Sequence, residues 1–122
     1  MKSRENLVRL KQFQVNERSR RIDQLNTMIA EFERMAVELD AQVAAEEAKA
    51  GITDQNHFAY PTFAKAARLR RDNLRISQAE LVQQREQALF DLAEAEAELR
   101  KAEALETRDG RRGDGAPRVA AG

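Results

Sequence analysis

Residues 48–65 read AKAGITDQNHFAYPTFAK, and this stretch decides the fold. Gly51 suits the position just past a helix C-terminus, because glycine enters the left-handed backbone region without steric cost. Pro61 suits the first turn of a following helix, where its missing N–H costs nothing. Upstream, neither Gly nor Pro occurs from Met1 to Ala50. Downstream, none occurs between Pro61 and Asp109, and then Gly110, Gly113, Gly115 and Pro117 arrive together. This punctuation predicts a helix over about 3–50 with Ser3 as N-cap, a hinge over about 51–60, and a helix over about 61–108. A flexible, disordered tail is expected over 109–122.

Both predicted helices carry a seven-residue apolar repeat. In the first, Val15, Ile22, Ile29, Ala36 and Val43 form one row and Leu25, Phe32 and Leu39 the next, with Met28 and Met35 widening the stripe. Lys11 and Arg18 interrupt that seam, and Leu7, Leu10 and Phe13 are rotated off its line. In the second, Leu74, Leu81, Ala88, Ala95 and Ala102 form one row and Leu92 and Leu99 the other, which Arg85 interrupts. A short hinge sends the second helix back antiparallel to the first. Folding about position 55 sets residue i near 110 minus i, so Ile22 faces Ala88 and Ile29 faces Leu81. Large residues opposite small ones let helices approach without voids.

Charge supports the same register. Residues 1–24 hold seven Lys/Arg and three Asp/Glu, whereas 86–109 hold eight Asp/Glu and three Lys/Arg. Nearer the hinge the signs reverse, with six acids and one Arg in 31–47 opposite Lys65, Arg68, Arg70, Arg71 and Arg75. Flanking charges of this kind set partner and orientation in coiled coils. The fold class is therefore all-α: a long antiparallel two-helix coiled-coil hairpin, with arms of ~45 residues and a length of ~65–70 Å.

Composition narrows the function. The chain has 122 residues, 21 Lys+Arg against 21 Asp+Glu, one His and no Cys. Without Cys there is no thiolate nucleophile and no Cys-based metal site. His57 has only Asp54 and Asn56 beside it, too few converging groups for catalysis or metal binding, and reads as a turn residue. All five Gly lie at 51, 110, 113, 115 and 122, so no phosphate-cradling loop exists. A one-seam rod leaves no room for a ligand pocket, so no enzyme activity, cofactor or metal is expected. No apolar run approaches the ~20 residues that cross a bilayer, and the charged start MKSRENLVRLKQF has no signal-peptide core. The expectation is a soluble cytoplasmic protein. Balanced charge argues against nucleic-acid binding.

What remains is partner binding. Phe58, Tyr60 and Phe63 concentrate half of the chain's aromatics in the hinge, where they plug the end of the hairpin, or one or more stands exposed as a docking anchor; both can hold at once. Arg68, Arg70, Arg71 and Arg75 either pair with Glu38, Asp40, Glu46 and Glu47 across the hairpin or meet a partner's carboxylates. Arg18, Arg20 and Arg21 form a second basic patch, within reach of Asp91 and Glu94 or open to an acidic partner.

The opening MKSRENLVRLKQFQVNERSRRIDQLNTMIAEFERM (1–35), the hinge with HFAYPTFAKAA (57–67) and a second helix of similar length resemble the FliJ family of flagellar export proteins, in its α-proteobacterial forms. The likeness covers roughly residues 1–105, and its least generic part is 55–74, ending in RRDNL. The resemblance implies an antiparallel hairpin like the coiled-coil stalk of the rotary ATPase γ subunit. It implies no active site of its own, insertion into the hexameric export ATPase, contact with the export-gate membrane protein, and a link to export chaperones. It places the chain at the cytoplasmic face of the flagellar basal body, without membrane insertion. On that likeness the open helix ends, at Leu7, Leu10, Phe13, Arg18, Arg20 and Arg21, are the expected ring contact. Phe58, Tyr60, Phe63, Arg68, Arg70 and Arg71 are the expected gate-side contact. The competing expectation is a generic coiled-coil adaptor or holdase chaperone using the Met28/Met35 stripe as an adaptable apolar surface.

Overall fold

The computed structural model describes residues 2–121 of the chain, with side chains described over 3–110. It is all-helical, with α1 over Lys2–Ala50 and α2 over Thr62–Ala121 and no strand among the described residues. The start of the expected tail, Asp109 and Gly110, still belongs to α2, and Arg4 Nε contacts Asp109 Oδ2 at 2.7 Å. The expectation of a disordered tail is thus corrected: α2 continues to Ala121, and of that stretch only Gly122 and the side chains of 111–121 lie outside the described residues.

The hinge forms as its residue types dictate. Gly51 has φ +69°, and Gly51 N and Ile52 N both donate to Glu47 O, at 2.9 and 3.3 Å. That closes α1 with a Schellman-type cap, satisfying a carbonyl that the helix end would leave orphaned. Asp54 then organises a turn: its Oδ1 accepts from Asn56 N at 3.0 Å and its carbonyl from His57 N at 3.1 Å. His57 repeats the device, with Nδ1 accepting from Ala59 N and O from Tyr60 N, both at 3.0 Å. Pro61 O accepts from Lys65 N at 3.1 Å and so starts the ladder of α2. A Cβ on Gly51 would meet nothing within 4 Å, which isolates the backbone term. Gly51→Ala is therefore expected to cost about 1–2 kcal/mol from the positive φ alone, read by chemical denaturation.

The chain divides into two compact units. In the first, Met1–Asp23 with Glu86–Gly122, the buried side chains are Ile22 from α1 and Ala88, Ala95 and Ala102 from α2. Ala88, Ala95 and Ala102, seven residues apart, thus carry the α2 side of this interface, and Val8 and Val15 are half-buried on the α1 side. Lys11 Nζ lies 4.0 Å from Glu98 Oε2. In the second unit, Gln24–Arg85, the core is Leu25, Ala36, Val43, Tyr60, Ala64, Ala67 and Leu81. Val43, Tyr60, Ala64 and Ala67 form a cluster below the hinge, with Leu39 and Ile52 packed on it.

Within each unit the helices run antiparallel in the expected register. Arg4–Asp109 and Lys11–Glu98 mark it in the first unit, and Arg68–Glu47, Arg71–Asp40 and Arg75–Glu33 in the second. The seam of the second unit is partly polar. Gln78 Nε2 donates to the Ile29 carbonyl at 3.2 Å and to Glu33 Oε2 at 3.0 Å, and Arg85 Nη1 donates to Asn26 Oδ1 at 3.0 Å. A polar residue in a helix seam is satisfied in one alignment only, so such bonds fix register at some expense of stability.

Candidate partner-binding surfaces

The first unit carries the candidate residues of the open ends. Leu10 and Phe13 are 50% and 59% exposed, and Leu7 is half-buried. Helical spacing puts Leu10, Phe13, Glu17 and Arg20 on one outward face, three and four residues apart. Arg20 Nη1 contacts Glu17 Oε1 at 2.6 Å along that face. Arg18 points the other way, lining a recess of about 160 Å³ with Gln14, Asp91, Glu94, Ala95 and Glu98. Arg21 is exposed. The six residues therefore do not converge. Leu10, Phe13 and Arg20 form an exposed apolar-and-basic strip, while Arg18 sits against the acidic side of α2.

The second unit splits the hinge aromatics by role. Tyr60 is buried, and its hydroxyl donates to Glu47 Oε2 at 2.9 Å while accepting from Arg68 Nε at 2.9 Å. Arg68 Nη2 closes the triangle on Glu47 Oε2 at 3.2 Å. Tyr60 and Arg68 thus tie α2 to the end of α1. Phe58 is 96% exposed at the hinge tip, its ring stacked on His57 with centroids 4.8 Å apart. Phe63 is 55% exposed and lines a small recess with Leu39, Gln42, Ala66, Ala67 and Arg70. Plugging and exposure both occur, on different residues.

The arginines divide in the same way. Arg71 Nη1 reaches Asp40 Oδ1 at 2.5 Å, and its Nη2 reaches Asp72 at 3.0 Å; Arg75 pairs with Glu33. Arg70 has no ion pair among the described residues and lines a recess with Met35, Glu38, Leu39 and Gln42. Of the gate-side set, Phe58, Phe63 and Arg70 are therefore the side chains offered outward. The sequence reading allowed for both roles but did not say which residue takes which. The seven-residue rows carry the signal: Glu33, Asp40 and Glu47 fall on one flank of the α1 seam, and Met28, Met35 and Gln42 on the other.

The hydrogen bond from the Tyr60 hydroxyl, then that from Arg68, holds the Glu47 carboxyl below the usual carboxylate range. Glu33 is lowered likewise, first by Arg75 and then by Gln78. A carboxyl with a lowered folded-state pKa contributes stability that is present above its unfolded value and is lost as pH falls through the folded one. Melting temperature should therefore fall as pH drops below about 4–5. Glu47→Gln with Glu33→Gln should melt lower at neutral pH and show a flatter acid limb, measured by circular dichroism across pH.

Among the described residues, no group of three or more His, Asp or Glu is placed to hold a metal ion, and no helix is long and apolar enough to cross a membrane. A recess of about 530 Å³ opens beside the hinge between Gln55, Asn56, Thr62, Lys65 and Leu69. No protein-family model, curated protein or solved structure matches the chain.

Proposed function

We propose that this chain is a non-enzymatic component of the flagellar type III protein export apparatus. In this reading it binds the hexameric export ATPase as a central stalk and couples it to the export gate, at the cytoplasmic face of the basal body. The observation that supports it is the exposed strip of Leu10, Phe13 and Arg20 on an antiparallel helix pair, on the arm that the FliJ-like opening sequence assigns to the ring. A stalk acts by contacting ring subunits unequally, and only differential affinity for their conformations biases which ones they populate. The outward residues Phe58, Phe63 and Arg70 serve the gate-side contact, where an aromatic beside an arginine matches common hot-spot composition.

Charge reversal and truncation test the assignment. Phe13→Ala with Arg20→Glu should weaken binding to the export ATPase at least about tenfold, with helicity unchanged. Phe58→Ala with Phe63→Ala should leave ATPase binding intact and lower affinity for the gate protein's cytoplasmic domain. Undiminished ATPase binding by the first variant would remove the ring assignment.

One observation favours a second reading, a coiled-coil adaptor or holdase: Met28 and Met35 are 38% and 36% exposed, and flexible thioether side chains adapt to varied apolar surfaces. Suppression of aggregation of unfolded clients, lost in Met28→Ser with Met35→Ser, would mark that activity.

A further inference from the structure

The two flanks of the hinge-side unit are chemically unlike. On one, Arg68–Glu47, Arg71–Asp40 and Arg75–Glu33 close the groove between α1 and α2 with cross-helix ion pairs. On the other, Met35, Glu38, Leu39, Gln42 and Arg70 line one shallow recess, and Phe63, Ala66 and Ala67 continue it. Met28 lies one heptad before Met35 on the same row. Met28, Met35 and Phe63 are each more than a third exposed there. Arg70 and Glu38 face the same recess, at one level of the helix pair, and neither has an ion pair among the described residues.

A groove that carries Met35, Leu39 and Phe63 along it, with one basic wall residue on α2 and one acidic wall residue on α1, is self-complementary. A two-fold axis running along the groove sets α1 of one copy against α2 of the other, antiparallel, and brings each Arg70 opposite the partner copy's Glu38. Such an isologous contact uses every charge twice, since residue i meets j and j meets i. It also buries both copies' Met28, Met35 and Phe63 between them, turning two helix pairs into a four-helix layer. We infer that this face is a homodimer contact, with a second copy of the chain as its occupant. The flank closed by ion pairs offers no such surface, because its arginines are already held by their own chain. The contact takes in Phe63 and Arg70, so a dimerised chain withholds them from the gate side. It takes in none of Leu7, Leu10, Phe13, Arg18, Arg20 or Arg21, so it stands apart from the ring reading.

Sedimentation equilibrium of the full chain alone tests this, over a wide concentration range. The weight-average mass should rise from 13.9 kDa toward twice that value. Glu38→Arg and Arg70→Glu, each on its own, should weaken the dimer about tenfold or more, because each places like charges across the two-fold. An equimolar mixture of the two variants should restore association, since the heterodimer recovers both opposite-charge pairs. Charge effects confined within one chain cannot produce that rescue. Lys65→Glu, outside the groove, should leave association unchanged, and circular dichroism should show every variant as helical as the wild type. A wild-type chain that stays monomeric throughout overturns the inference and leaves the groove to another protein's helix. Variants that associate as well as wild type overturn it, as does a mixture that fails to recover.

Discussion

Leu25→Ala is expected to lower the unfolding free energy by about 2–5 kcal/mol. Leu25 is the one large side chain of the described residues that is fully buried, at 0% relative exposure. Its unit is a helix pair with a single seam, so few other apolar contacts compensate when the isobutyl group is removed. Replacing it deletes the transfer free energy of the lost methyl groups and leaves a cavity that two stiff helices close only in part. Small domains are stable by about 5–15 kcal/mol, so the loss is a large share of the total. Urea denaturation followed at 222 nm gives the value. A change below about 1 kcal/mol, the range of ordinary surface substitutions, would mean that Leu25 is not seated in the seam as described.

Ala64→Leu tests the opposite limit. Ala64 is fully buried in a cluster with Val43, Tyr60 and Ala67. Added methylenes in a packed site force off-rotamer side chains or backbone shifts, at about 1–3 kcal/mol. Tyr60 is the movable neighbour, and displacing it breaks the bonds its hydroxyl makes with Glu47 and Arg68. The variant should therefore lose stability and also lose part of the acid sensitivity that Glu47 confers. Ala66→Leu, two residues on and exposed, should stay within about 0.5 kcal/mol of wild type. Equal behaviour of the two variants would show that α2 is not packed on α1 through the Ala64 face.

The hinge was the most legible part of the sequence, because its instructions are local. Gly51 is the only residue with positive φ among those described, and Pro61 stands where α2 begins. The register was also legible, since charge blocks and apolar rows repeat often enough to agree with each other. Individual side chains at the edges were not. Tyr60 and Phe58 are two residues apart with similar composition around them, yet one is buried and the other almost fully exposed. The deciding factor is a carboxylate thirteen positions earlier, Glu47, which gives the Tyr60 hydroxyl a partner that Phe58 cannot use. Arg68, Arg70 and Arg71 look equivalent in sequence, but about 100° of rotation per residue turns Arg70 to the opposite flank from the other two. Arg18, Arg20 and Arg21 disperse for the same reason. The expected helix end at 108 was set by Gly110, Gly113, Gly115 and Pro117 together, but α2 runs on to Ala121, with Asp109 held by Arg4; a glycine costs a helix only about 1 kcal/mol relative to alanine, a preference and not a stop.

The stalk reading is tested most directly by sedimenting the chain with the flagellar export ATPase of the same cell while following ATP hydrolysis. At concentrations where the chain alone is monomeric, the account predicts one chain per ATPase hexamer and a faster rate, both diminished by Phe13→Ala with Arg20→Glu. A helical, folded chain that neither co-sediments with the ATPase nor alters its rate would contradict it.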